Sequence, residues 1–132
     1  MNYRSVTFDS LAALEITTAA AKMVLVTEAG PRIAFWGKPD GENLLYWDKD
    51  AIERDGWKLM GGHRVWVTRP MADETEDVYR PDNEPCEINT DDDWVQVTGP
   101  LDPVLRTRRG MRVRILRDDT LEIVSFVENS GP

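Results

Sequence analysis

The 132-residue sequence has a net charge of −8, from 24 acidic and 16 basic side chains, and 41% of its residues are hydrophobic. These proportions exclude a disordered chain, and the acidic balance argues against nucleic acid as the main partner, because phosphate binding requires clustered Lys and Arg. The single cysteine, Cys86, excludes an intrachain disulfide, and no stretch approaches the roughly 18 apolar residues of a membrane span. We expect one cytoplasmic domain over residues 1–132 with no cofactor, metal or membrane partner.

The first half of the chain predicts short strands separated by turns. Segment 11–26 contains alanines, which favour helix, together with β-branched Ile, Thr and Val, which favour strands. We prefer two strands, at 12–18 and 22–27, although a helix through this segment stays open. The other elements predicted here are strands at 4–8 and 32–36, a short extended segment at 44–47 and one helical turn at 51–54.

The second half of the chain carries the clearest strand pattern. Apolar residues alternate with arginines over 111–117, which indicates a strand with one face in water. Apolar residues occupy both faces over 121–128, which predicts a central position in a sheet. Further strands are predicted at 63–68 and 94–97, and 70–87 is a long acidic loop. About eight or nine short strands with little helix predict a mainly-β domain, a β-sandwich or barrel.

His63 is the only histidine of the sequence, and it follows Gly61 and Gly62 at the start of a predicted strand. A histidine can act as a general acid or base near neutral pH, and the two glycines allow a ligand or another backbone segment to approach closely. The alternative is a structural histidine at a strand end. We therefore take His63 as the candidate catalytic residue and leave both interpretations open.

Arg64 and the segment 80–85 are candidates for ligand binding. An arginine within a sheet needs a partner, which a sugar ring or a carboxylate can supply. The alternative for Arg64 is an ion pair with a carboxylate from region 73–93. Two prolines stiffen 80–85, where Asp82 and Asn83 could bind hydroxyl groups or form an Asx-type turn instead.

Five tryptophans are many for a chain of this length. Aromatic rings fill small cores, and they also stack on the apolar faces of sugars. We expect Trp36 and Trp66 to fill the core. Trp57 lies in a polar stretch, which makes it the better candidate for the wall of a binding pocket.

Three segments together resemble the galactose mutarotase-like superfamily, which includes the aldose 1-epimerases. They are 28–33 (EAGPRI), 61–66 (GGHRVW) and the closing 121–129. The second segment, with the loop 81–85 (PDNEP), resembles a poorly characterised branch of this superfamily. By this resemblance, the chain corresponds to roughly the N-terminal half of such a domain.

The resemblance implies a β-supersandwich whose concave sheet binds a carbohydrate. True epimerases use a histidine as general acid and a glutamate as general base, and here His63 and Arg64 would line the sugar-binding surface. The motif around His63 differs from that of true epimerases, and the glutamate would come from another segment. We therefore expect a carbohydrate-binding domain without complete catalytic machinery, forming a homodimer. Two alternatives stay open: an interaction module that dimerises through a sheet edge, and an epimerase-type isomerase completed by another chain or segment.

Overall fold

The computed structural model describes residues 1–54, 57–67, 80–117 and 119–131. Nearly all regular structure in these residues is β-strand, because β-branched and aromatic residues alternate with polar ones along most of the chain. The elements are β1 (Asn2–Phe8), β2 (Leu11–Thr17), β3 (Lys22–Val26), β4 (Arg32–Gly37), β5 (Glu53–Arg54), β6 (Trp57–Lys58), β7 (His63–Arg64), a 3₁₀ helix (Arg80–Asn83), β8 (Glu87–Asp91), β9 (Trp94–Thr98), β10 (Thr107–Leu116) and β11 (Thr120–Asn129).

The strands form two antiparallel sheets. One sheet has the order β1-β2-β3-β4-β7, and the other has the order β11-β10-β9-β8. A separate two-stranded ribbon joins β5 to β6. The predicted mainly-β sandwich is therefore confirmed.

The core lies between the two sheets and includes alternate residues of their facing strands. The buried residues of this core are Ile16, Met23, Leu25, Ile33, Val95, Val97, Met111 and Val113. Burying an aliphatic or methionine side chain of this size contributes about 1.5 to 3 kcal/mol relative to leaving it exposed. Trp36 packs against this core, as predicted.

The opposite face of the five-stranded sheet is also covered. A second apolar cluster forms there around Val24, Val26 and Phe35, and Met60 is buried within it. Trp47 packs at its margin, where its ring meets the ring of Phe8 edge-on with centroids 5.3 Å apart. Trp47, Ala51 and Met60, which lie between β4 and β7 in the chain, therefore begin a third layer, and this layer borders the cleft described below.

The preference for two strands over a helix in 11–26 is confirmed. Thr17 and Lys22 are partners in the β2–β3 register, so a short turn joins the two strands. The Thr18 hydroxyl accepts hydrogen bonds from the backbone N–H groups of Ala20 and Ala21, at 3.2 and 3.0 Å. This ST-type turn explains why the alanines do not continue a helix.

Two predictions about individual elements are wrong. The helical turn expected at 51–54 is replaced by β5, whose Glu53 and Arg54 pair with β6. The strand expected at 63–68 is two residues long, because only Arg32 and Ile33 of β4 pair with β7. Residues 68–79, which include the end of that predicted strand and part of the acidic loop predicted at 70–87, lie outside the described residues, as do 55–56, 118 and 132.

The position predicted for the last strand is also wrong. β11 lies at the edge of its sheet and pairs with β10 alone among the described strands. Its apolar residues are therefore covered only in part: Leu121 and Ile123 pack against the core, while Val124 and Val127 remain 44% and 50% exposed. Trp66, expected in the core, is 38% exposed and lies with its ring 5.3 Å from the Arg64 guanidinium carbon. Among the described residues, no helix is long and apolar enough to cross a membrane.

Candidate functional site

Asp82 lies at the centre of a buried group of charges that joins the two sheets. It belongs to the 3₁₀ helix and is 1% exposed. Arg64 of β7 donates a hydrogen bond from Nη1 to Oδ2 of Asp82. Nη1 of Arg109 on β10, in the other sheet, lies 3.7 Å from Oδ1 of the same carboxylate. The carboxylate therefore compensates positive charges from both sheets, as buried ions require.

Arg32 adds a third buried guanidinium, and it binds backbone carbonyls rather than a carboxylate. Its Nε donates to the Ala29 carbonyl at 2.9 Å, and its Nη1 and Nη2 donate to the carbonyls of Gly61 and Asp82, each at 3.3 Å. Burial lowers the pKa of Arg32, while the nearby charge of Asp82 acts in the opposite direction. This side chain holds three separate loop segments together.

Gly61 and Gly62 have positive φ angles of 94° and 78°. A Cβ atom on Gly62 would lie 2.5 Å from the carbonyl oxygen of Ile33, and one on Gly61 would collide with the carbonyl oxygen of Tyr46. The close approach expected at these glycines is therefore made by other backbone segments, which is one of the two arrangements that the sequence left open.

His63 and Arg64 do not line the cleft described below. His63 pairs with Ile33 in the sheet, and its buried Nε2 has no hydrogen-bond partner among the described residues. Arg64 forms an ion pair with Asp82, which confirms the alternative of a carboxylate partner from region 73–93. Asp82 is itself buried and bound to arginines, so its carboxylate is not turned toward the cleft.

A cleft of about 650 Å³ lies beside this charge group, at the level of the 3₁₀ helix. Four parts of the chain border it: the turn between β1 and β2, Ala29 between β3 and β4, the described residues of 49–60, and residues 80–84. Asp9 and Ser10 form the two-residue β1–β2 turn with positive φ angles of 48° and 66°, the geometry of a type I′ hairpin. The indole N–H of Trp47 donates to the Asp9 carboxylate at 3.1 Å and fixes this side of the cleft.

The cleft combines a small apolar surface with many polar groups. Its lining contains three cationic side chains, three carboxylates, one hydroxyl, one amide and four apolar side chains. These residues are Lys49, Lys58 and Arg80; Asp9, Glu53 and Glu84; Ser10 and Asn83; and Leu11, Ala29, Ala51 and Met60. A concave site with an apolar wall and a few convergent polar groups is the usual form of a small-ligand site.

Of the predicted binding residues, Asn83 lines the cleft. The Trp57 side chain lies outside the described part of the structure, although its neighbour Lys58 contributes to the lining. Asp9, Lys49 and Lys58 also line the cleft and were not predicted. Their proximity depends on the fold. The polar character of the segment that follows Trp47 is a signal for the two lysines, and the sequence carries none for Asp9.

A second polar surface lies on the outer face of the four-stranded sheet. The Trp94 ring lies 4.7 Å from the guanidinium carbon of Arg112 and 4.4 Å from that of Arg114. Arg114 also forms an ion pair with Glu122 on the neighbouring strand. The two arginines therefore stack on the indole in a cation–π arrangement, as exposed guanidinium groups often do.

Cys86 lies next to the charge group, and its backbone N–H donates to the Thr27 carbonyl at 2.7 Å. Burial raises the pKa of its thiol to about 12, so the thiol is protonated at neutral pH. Since the thiolate is the reactive form, we expect a thiol reagent at pH 8 to modify Cys86 about a thousand times more slowly in the folded than in the unfolded protein. The measurement is the rate of disulfide exchange with a chromogenic reagent, with and without denaturant.

The same shift predicts how stability depends on alkaline pH. The thiol is protonated in the folded state, and it loses its proton in the unfolded state above its ordinary pKa of 9. Stability from this group is therefore complete below pH 9 and falls as the pH rises toward 12. A Cys86→Ser variant should lose this part of the pH dependence, and equal thiol reaction rates in folded and unfolded protein would contradict the assignment.

Among the described residues, no group of three or more His, Cys, Asp or Glu side chains is placed to hold a metal ion. No family model, curated protein or solved structure matches the chain. The resemblance to the galactose mutarotase-like superfamily therefore stays a prediction, and the geometry of the cleft is the basis for the function proposed next.

Proposed function

We propose that this domain binds a carbohydrate in the cleft beside Arg80–Asn83. The observation that carries this proposal is the position of Asn83, which lies in the wall of a cleft of about 650 Å³ together with charged and hydroxyl side chains. A site of this volume is within the range of small-molecule sites, roughly 300 to 1,000 Å³, and is large enough for a mono- or disaccharide.

The chemistry of the lining suits a ligand with many hydroxyl groups. An amide both donates and accepts hydrogen bonds, carboxylates accept them and ammonium groups donate them, so Asn83, Glu84 and Lys58 offer both kinds of partner. The apolar atoms of Leu11 and Met60 provide a surface for the C–H face of a sugar ring.

The buried charge group acts as a support for this wall. Asp82 is bound to arginines of both sheets and directly precedes Asn83, so the 3₁₀ helix is fixed at its centre. Glu84 is fixed in turn, because its carbonyl accepts a hydrogen bond from the Gly30 N–H at 3.2 Å. A binding site built on such supported residues loses little conformational entropy when a ligand binds.

Binding without catalysis fits the described lining best. The cleft contains the carboxylates of Asp9, Glu53 and Glu84, but His63 is not part of its lining. An epimerase needs a general acid within hydrogen-bond reach of the sugar ring oxygen. True epimerases use a histidine for this step, so the isomerase alternative would need such a histidine from another chain or segment.

The proposal is tested by ligand titration of wild-type protein and two cleft variants. We expect a panel of monosaccharides and disaccharides, followed by calorimetry and thermal shift, to identify a sugar that raises the melting temperature. Asn83→Ala and Lys58→Ala should each weaken its binding about 5- to 30-fold, since each removes a polar partner at a cost of roughly 1 to 2 kcal/mol.

Matched controls lie outside the cleft. Asn89→Ala on β8 and Lys38→Ala in the turn after β4 remove the same chemical groups from exposed positions, and both should bind like wild type. A folded protein that binds no sugar of the panel, or cleft variants that bind as tightly as the controls, would overturn the proposal.

A second candidate function is an interaction module that dimerises through a sheet edge. The exposed edge of β11 favours this function, because two valines of this strand remain about half exposed. Monomeric proteins usually shield the edges of their sheets.

A further inference from the structure

The edge strand β11 differs from the other edge strands of the two sheets. It extends from Thr120 to Asn129 with Glu122 and Glu128 as its charged residues, and it contains neither lysine, the charged residue that most often protects an edge, nor proline. On the opposite side of the same sheet, β8 is half as long and carries Glu87 and Asp91. In the other sheet, β7 has two residues, and β1 carries Arg4 paired with Glu15. Among the described strands, β11 is thus the long edge with the least protection.

The strand β11 carries apolar side chains on both faces of its sheet. Leu121 and Ile123 pack against the core between the sheets, while Val124 and Phe126 belong to the outer face. The phenyl ring of Phe126 lies over Gly110 of β10, where a Cβ atom would collide with it. Exposed apolar side chains beside a free sheet edge favour pairing with a further strand, and among the described strands only β10 pairs with β11.

We propose that a second copy of this chain pairs its β11 with this β11, antiparallel, about a two-fold axis at Val124. This inference rests on the interaction function proposed above, and it specifies the partner and the register. The two four-stranded sheets would then form one continuous eight-stranded sheet. An isologous pairing of this kind is closed and produces a dimer rather than a filament.

Charge selects this register. In an antiparallel pair the side chains directly opposite one another lie on the same face of the sheet. The possible registers therefore differ by steps that leave the inner-face residues of both strands on the inner face. A two-fold axis at Ser125 would place Glu122 opposite Glu128 of the partner subunit, and like charges in that position are destabilising. An axis at Val124 places Glu122 opposite Phe126 of the partner subunit, and Glu128 opposite Thr120 of the partner subunit.

Length and apolar contact favour the same register. With the axis at Val124, residues 120–128 all find a partner, whereas an axis at Ile123 pairs only 120–126. On the inner face, Val127 then meets Leu121 of the partner subunit, which covers a side chain that is 50% exposed in the single chain. The core between the sheets is therefore continued across the dimer.

The register is tested by cysteine cross-linking on β11. Residues opposite one another on the axis have Cα atoms about 4.5 to 5.5 Å apart, a distance that a disulfide can span. We expect Val124→Cys to form a covalent dimer under mild oxidation. Ser125→Cys should form little or no covalent dimer. In this register residue 125 lies opposite residue 123 of the partner subunit, so the two copies of residue 125 are displaced by two residues along the strands and their Cα atoms lie about 8 Å apart. Wild type, with Cys86 as its one cysteine, partly buried, is the control for unrelated oxidation.

Sedimentation equilibrium separates failure of the register from failure of the interaction function. Wild type at about 100 µM should sediment as a dimer, and Val124→Lys should raise the dissociation constant at least about tenfold, because it places two like charges on the axis. Ile52→Lys, at a side chain that is 83% exposed outside both main sheets, should stay dimeric. A monomeric wild type would overturn both the pairing and the interaction function, whereas a dimer cross-linked through Ser125→Cys rather than Val124→Cys would overturn the register.

Discussion

Asp82→Asn is expected to lower the free energy of unfolding by about 3 to 5 kcal/mol, the usual cost of removing one partner from a buried ion pair. The substitution keeps the size of the side chain and removes its charge. Arg64 and Arg109 would then face each other near a neutral amide, and the guanidinium of Arg109 is 3% exposed and cannot turn to water. The measurement is denaturant unfolding followed by tryptophan fluorescence.

Two further variants separate this effect from a general effect of lost charge. Asp91→Asn on the exposed edge strand β8 should change stability by less than about 0.5 kcal/mol. The double variant Asp82→Asn with Arg109→Met should recover part of the loss, since it removes a buried charge together with its counter-charge. If Asp82→Asn is as stable as Asp91→Asn, then the carboxylate does not compensate the arginines.

Gly62→Ala is expected to lower the free energy of unfolding by about 2 to 5 kcal/mol. Roughly 1 to 2 kcal/mol comes from a side chain at a positive φ angle, and roughly 1 to 3 kcal/mol comes from overpacking. Gly62 has φ of 78°, and its Cβ atom would lie 2.5 Å from the carbonyl oxygen of Ile33, a backbone atom that a rotamer change cannot move. Because β7 begins directly after Gly62, the short pairing between β4 and β7 is expected to be lost first.

The same unfolding experiment distinguishes the two causes. Asparagine tolerates positive φ better than alanine, so Gly62→Asn relieves the conformational strain but keeps the collision. We expect it to be as destabilising as Gly62→Ala if the collision dominates. Gly131→Ala, near the end of the chain with a negative or extended φ, is the control and should cost less than about 1 kcal/mol. A Gly62→Ala variant as stable as this control would mean that the backbone at Gly62 can move away.

The sheets follow from local patterns in the sequence, whereas their edges do not. Alternation of apolar and polar residues predicted β10, and β-branched residues decided for strands over helix in 11–26. The edge position of β11 could not be predicted. Apolar residues on two faces indicate that both faces of a strand are covered, but they do not indicate how many neighbouring strands pair with it. The prediction that Trp66 lies in the core was wrong for a related reason. Contiguous apolar residues predict burial, but the strand ends at Arg64, before Trp66.

The candidate site was predicted only in part. The stiff segment with Asp82 and Asn83 was identified from its prolines, and Asn83 lines the cleft. Tertiary structure decides that Asp82 is buried while its neighbour Asn83 lines the cleft, since Asp82 is turned toward arginines that lie far away in sequence. Lys49, Lys58 and Asp9 share a cleft because a hairpin turn, a ribbon and a helix meet, and no periodicity in the sequence describes such a meeting.

The arginines bound to Asp82 come from β7 in one sheet and β10 in the other, with Arg32 of β4 holding the backbone of Asp82. No single stretch of chain can form this arrangement, because it requires segments that lie far apart in the sequence to come together. A fluctuation that parts the sheets would expose these charges to water and release the short helix at the same moment. Occupancy at Asn83 would consequently slow amide exchange throughout the molecule, well beyond the residues that a ligand touches.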